Sequence, residues 1–144
     1  MPRLPSRAPP SDPRDVLDLE ELRVRAGRDE DLVIELLGDF LERTSEMSAL
    51  AASVAIGDFL TTSKLAHRLK GALLALGAKA AARAAMAVEH QAAALAAETT
   101  APLSAESLEG AVAALRTHCA EACAAMQAAC DAAPVKRDQA SGWR

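Results

Sequence analysis

Residues 58–76 read DFLTTSKLAHRLKGALLAL. Leu65, Leu69, Ala72 and Leu76 recur at steps of three and four, which places them on one side of a helix spanning about 58–76 and turns that side toward a core. His67 points the other way, and the residues that share its side are Lys64, Lys70, Gly71 and Leu74, with Ser63 one turn before. Gly71 stands inside a run of Ala and Leu, where glycine costs a helix roughly 1 kcal/mol relative to alanine. On a solvent-facing side a glycine meets no packing need. The gain is room for another molecule to approach His67.

The flanking sequence supplies further helices. Gly77 and Ala78 mark a stop, after which a fourth helix is expected over about 79–97. Upstream, Asp29 is placed to cap a long amphipathic helix whose apolar positions are Val33, Leu36, Leu37, Phe40, Met47, Leu50 and Val54, ended by the IGD at 56–58. Asp18 followed by Glu21 fits a capping box for a short helix over about 19–26, closed by Gly27 and expected to lie as a lid. Beyond Pro102, Ser104 with Glu106 and Ser107 can open a last helix carrying Leu108, Val112, Leu115, Cys119, Cys123, Met126 and Cys130 on one face. Four long helices with short connections predict an all-α fold, an antiparallel up-down four-helix bundle with a short N-terminal lid helix.

Composition agrees. Apolar residues make up 51% of the 144 residues but aromatics only 2%, with alanine dominant and no tyrosine, which favours close-packed helices over strands. Five of the seven prolines fall in residues 1–13, the others being Pro102 and Pro134. The expected organisation is a disordered Pro-rich tail over 1–17, one bundle domain over 18–131 and a disordered tail over 132–144 that contains Trp143. A net charge of −4 offers no general attraction to nucleic acid or anionic lipid, and no apolar run approaches the roughly 20 residues that span a bilayer. The arginines and prolines of the N-terminus lack the apolar block of a secretory signal, so a cytoplasmic location is expected.

Cys119, Cys123 and Cys130 stand at steps of four and seven on the stripe of Val112 and Met126, where a bundle places its core. An odd number in one short stretch argues for reduced thiols rather than a disulfide framework. A metal site built from His67, His90 and His118 with these cysteines lacks paired ligand spacing, since the histidines fall on three different helices. No metal and no cofactor are expected in this chain.

An isolated surface histidine is usually only solvated, and lysines such as Lys64 and Lys70 usually only solubilise a helix. The glycine changes that balance. An exposed imidazole beside a cation, on a helix with space above it, suits a nucleophile that accepts a phosphoryl group from a protein donor. A neutral ring nitrogen has its lone pair available and needs no general base. Transfer then rests on in-line placement and charge neutralisation.

The run HRLKG at 67–71, with Leu76, Gly77 and Ala78 following, resembles the signature of the histidine-containing phosphotransfer domains of bacterial phosphorelays. The similarity extends over about residues 18–130: GRDEDLVIELLGDFLERTSEM at 27–47 resembles that family's first long helix, IGDF at 56–59 its turn and LAHRLKG at 65–71 its active-site helix. The resemblance implies a four-helix bundle in which His67 is phosphorylated, Lys70 helps to neutralise the phosphate and Gly71 leaves clearance for a docking receiver domain. Lys64 and Leu74 would join Gly71 in the docking face. The implied partners are response-regulator receiver domains, which bring the aspartate and the magnesium ion, and a hybrid histidine kinase; the chain itself is expected to be a monomeric carrier rather than an enzyme. One departure stands out: family members often carry small or polar residues after the glycine, whereas Ala72, Leu73 and Leu74 follow here, and Leu74 would reshape the docking site.

Two other readings are weighed against it. A histidine kinase would carry an acidic residue after the histidine, then a proline, and a glycine-rich ATP lid; Arg68 and an unbroken helix follow instead. A non-catalytic helical module that binds or inhibits a sensor kinase would use the same face without carrying phosphate, and the retention of His67, Lys70 and Gly71 together weighs against it.

Overall fold

A computed structural model describes residues 12–43, 45–97 and 105–133. Its helices are α1 (Pro13–Val16), α2 (Leu19–Arg25), α3 (Glu30–Leu41), α4 (Ser45–Ala55), α5 (Phe59–Leu76), α6 (Lys79–Ala96) and α7 (Ala105–Ala132). Among the described residues there is no strand, and no helix is long and apolar enough to cross a membrane. The chain is all-α.

Aspartates start most of these helices. The side chain of Asp12 accepts the N–H of Arg14, Asp18 that of Glu21, Asp29 that of Leu32 and Asp58 that of Thr61, each answering one of the donors that a helix start leaves unpaired. The expected capping box at Asp18 is half made. The N–H of Asp18 is taken at 2.9 Å by Gly77 O, so Glu21 does not reach back to it. That bond ties the start of α2 to the end of α5. Arg25 tightens the tie by donating from Nη1 to the carbonyls of Leu74 and Ala75, both at 2.9 Å, which satisfies acceptors at the C-terminus of α5. Gly77, at φ 84°, takes the left-handed turn that ends α5, and a Cβ there would stand 2.8 Å from Asp18 O.

Three expectations need correction. The single helix expected after Asp29 is two, α3 ending at Leu41 and α4 beginning at Ser45; Arg43 N–H donates to Phe40 O in a tighter turn, and Arg-Thr-Ser is a sequence better suited to turns and caps than to a helix interior. The apolar stripe nonetheless continues across the break, from buried Phe40 through partly buried Met47 to buried Leu50. The tail expected over 1–17 ends earlier, because Asp12 caps α1, Asp15 pairs with Arg83 at 3.5 Å and Leu17 is buried. Residues 1–11 and 134–144, with Trp143, lie outside the described residues, as do Pro102 and Ser104. On α5 the buried line is Thr62, Ala66, Leu69, Leu73 and Leu76, with Leu65 and Ala72 half-buried at its edge. The inward face is therefore rotated toward Leu73 relative to the one expected.

One core unites the longer helices. Val33, Leu37 and Phe40 of α3, Leu50 of α4, Leu69, Leu73 and Leu76 of α5, Val88 of α6, and Leu108, Leu115 and Met126 of α7 all belong to it. α6 contributes mostly methyl groups, from Ala81, Ala82, Ala85 and Ala92. Side chains this small let helix axes approach at the short end of the usual 8–10 Å. α6 packs on both α5 and α7; α4 also packs on α5 and α3 on α7. Ser53 of α4 and Thr62 of α5 are buried polar residues that satisfy each other across the helix pair at 2.6 Å, with Ser53 Oγ also 2.7 Å from Leu50 O.

Candidate functional site

α5 presents His67 to solvent, with 66% of its side chain exposed. Ala66 and Leu69, its neighbours on the inner side, are buried and fix the rotation of the helix. Gly71 follows one turn on, exposed, and a Cβ built there would meet nothing within 4 Å. The glycine therefore answers no packing constraint inside the chain. Lys64 is exposed, and Leu74 is 48% exposed although it is a leucine. Leu60, seven residues before His67 on the same side, and Met86 of α6 are also large exposed apolar residues that sequence reading did not single out.

The residue most conspicuously missed is Glu89. Its Oε2 lies 2.8 Å from His67 Nδ1 and its Oε1 lies 2.8 Å from Lys70 Nζ, so a single carboxylate joins the histidine to the lysine. Ser63 adds a donor from Oγ to the Glu89 carbonyl at 3.3 Å. Glu89 is 18% exposed and Lys70 22%. The Lys70 hydrogen bond is the main reason the Glu89 carboxyl is held below its ordinary range; partial burial opposes this and the His67 hydrogen bond reinforces it. Glu89 is accordingly an anion, and an anion on Nδ1 selects the tautomer whose proton sits on that nitrogen. In the neutral ring of that tautomer the Nε2 lone pair is left free. A signal for this pairing exists in the sequence: α5 and α6 fold back on each other about Gly77 and Ala78, and His67 and Glu89 are nearly equidistant from that turn.

Ser63, Lys64, His67, Arg68 and Glu89 together line a shallow surface depression. Of the site residues expected from sequence, Lys64, Lys70 and Gly71 each lie within about one turn of His67 on α5, and Leu74 shares their face. His90 is exposed on α6 and His118 is half-buried on α7, its Nδ1 3.4 Å from Glu121 Oε1, so the three histidines do not converge. Among the described residues no group of three or more His, Cys, Asp or Glu is arranged to hold a metal ion. Cys119 is buried and its thiol is pushed up to about 12 by that burial, while Cys123 and Cys130 are partly buried and raised for the same reason. They behave as small core residues. No family model, curated protein or solved structure matches the chain.

Proposed function

We propose that this chain is a histidine phosphotransfer protein that accepts a phosphoryl group on His67 Nε2 and exchanges it with the aspartate of response-regulator receiver domains. In this reading α3 with α4, α5, α6 and α7 form an antiparallel four-helix bundle, and α2 is its lid. The observation that carries the proposal is the exposed imidazole whose Nδ1 is engaged by Glu89 at 2.8 Å, beside a cation and an open glycine. An uncommitted Nε2 lone pair on a solvent-facing ring is a nucleophile that needs no base. Lys70, one turn away, offsets the negative charge of Glu89, and Gly71 leaves clearance for a docking surface. Lys64 and Leu74 lie on the same face and would enter the contact, with Leu60 and Met86 extending its apolar part. The receiver would bring both the aspartate and the magnesium ion, a hybrid histidine kinase could feed the relay, and the chain would work as a monomer in the cytoplasm without a cofactor of its own.

The test is incubation with a panel of phosphorylated receiver domains followed by assay of acid-labile phosphate. Labelling of the parent and none of His67→Gln, with helicity retained, is the expected result. Label carried by that variant on His90 or His118 would refute the assignment. Stable binding of a sensor kinase or receiver with no label on the parent would favour a phosphate-free interaction module instead.

A further inference from the structure

Three cations stand within one turn of His67 on α5, and their surroundings differ. Lys70 is mostly covered, and its Nζ is 2.8 Å from Glu89 Oε1, so its charge is cancelled by the carboxylate that also holds the ring. Lys64 and Arg68 are exposed, line the depression with His67, and make no ion pair or side-chain hydrogen bond among the described residues.

Their positions around the helix differ as well. At 100° per residue, Ser63 and Lys70 fall on the flank of His67 that faces α6, whereas Lys64 and Arg68 fall on the other flank. The bonds of Ser63 and Lys70 to Glu89 agree with the first placement. In an imidazole the two nitrogens direct their in-plane bonds to different sides of the ring. With Nδ1 tied to Glu89 on α6, the lone pair of Nε2 is directed away from α6, toward the flank of Lys64 and Arg68.

Resting on the phosphotransfer reading above, we propose that Lys64 and Arg68 form the anion subsite that meets the phosphoryl oxygens at His67 Nε2, and that Lys70 is a positioning residue acting through Glu89. The ligand class is the terminal phosphoryl group of an aspartyl phosphate. Nε2 attacks phosphorus, the N–P bond forms, and the P–O bond to the bridging carboxyl oxygen of the aspartate breaks, its electron pair leaving on the carboxylate. No proton moves in this step: the Nδ1 proton stays on the ring against Glu89. In the reverse direction a carboxylate oxygen attacks phosphorus and the ring departs as neutral imidazole, because that proton was kept. Glu89 set against a phosphoryl dianion would repel it, and Lys70 offsets that charge. The planar fork of Arg68 suits two phosphoryl oxygens, with Lys64 as a second point of positive charge.

The full chain is tested as the parent, as the double variant Lys64→Gln/Arg68→Gln and as Lys70→Met. Transfer from a phosphorylated receiver is followed against donor concentration and salt, and the ring tautomer of His67 is read by nitrogen-15 NMR. The double variant should lose at least about tenfold in kcat/KM, through KM, and show a flatter salt dependence with the tautomer unchanged. Lys70→Met should keep the parental salt dependence but give a mixed tautomer population. Transfer by the double variant at the parental rate would overturn the proposal while leaving the carrier reading intact, as would a flattened salt dependence in Lys70→Met with the tautomer preserved. A parent that no phosphorylated receiver labels would remove both.

Discussion

Gly71 offers a substitution in which stability and function move in opposite directions. A Cβ at this position meets nothing within 4 Å, and no positive φ is recorded there, so Gly71→Ala introduces no strain. It removes the propensity deficit of a helix-interior glycine, and the expected gain is about 1 kcal/mol, equivalent to roughly 4 °C in Tm for a domain of this size. Gly77 supplies the contrast on the same helix. There φ is 84° and a Cβ would stand 2.8 Å from Asp18 O, so Gly77→Ala should cost more than about 1 kcal/mol by forcing a left-handed residue against the backbone at the start of α2. Urea unfolding followed by far-UV circular dichroism measures both. Helical side chains lean toward the N-terminus, so a long side chain at 71 covers the turn that holds His67. Gly71→Gln should therefore fold at least as stably as the parent yet slow phosphoryl transfer. A loss of stability in Gly71→Ala, or parental transfer rates in Gly71→Gln, would refute the clearance reasoning.

Two further outcomes follow from the same helix pair. Leu73 is fully buried and Leu74 is 48% exposed, so Leu73→Ala should cost about 2–5 kcal/mol and Leu74→Ala about 0.5 kcal/mol or less. Leu74→Ala should also reorder the ranking of receivers as phosphoryl donors, and an unchanged ranking with a large stability loss would show the helix face to be misplaced. The lowered Glu89 carboxyl gives a pH dependence whose sign is fixed. Its stabilising contribution is fully present above the unfolded value near 4.5 and is lost as pH falls through the lower folded value. Stability curves between about pH 5 and pH 3 should be steeper for the parent than for Glu89→Gln, and identical slopes would contradict the pairing.

Where the sequence carries local chemistry, the fold can be read from it. Asp18 and Asp29 mark helix starts, and Gly27 and Gly77 mark ends, because caps are decided by a residue and its nearest neighbours. The break between α3 and α4 was hidden because Phe40 and Met47 are seven residues apart, a spacing that a continuous helix would also show. The true inner line of α5 was hidden because Leu65, Leu69, Leu73, Leu74 and Leu76 offer two overlapping stripes, and the choice between them is made by the helices packed alongside. Leu17 escaped notice because prolines dominate the residues before it, although Asp12 with Pro13 is also a good helix start. At the candidate site His67, Lys70 and Gly71 share one helix and announce themselves by spacing. Glu89 reaches them only through tertiary contact.

That contact makes the site a product of the core as well as of α5. A glutamate has a short reach, and Glu89 can hold both His67 Nδ1 and Lys70 Nζ at 2.8 Å only if α6 runs close beside α5 at this level. Ala66 on α5 and Ala85 and Ala92 on α6, all fully buried, permit that approach; larger side chains in their places would move the axes apart. Val88, adjacent to Glu89 and equally buried, fixes the rotation of α6 so that Glu89 lies at the rim and not in the core. The alanine-rich composition and the histidine are thus parts of one arrangement. Small side chains inside bring the carboxylate within hydrogen-bonding distance of the ring, the carboxylate favours the neutral tautomer with its proton on Nδ1, and the ring itself stands mostly exposed one turn before Gly71.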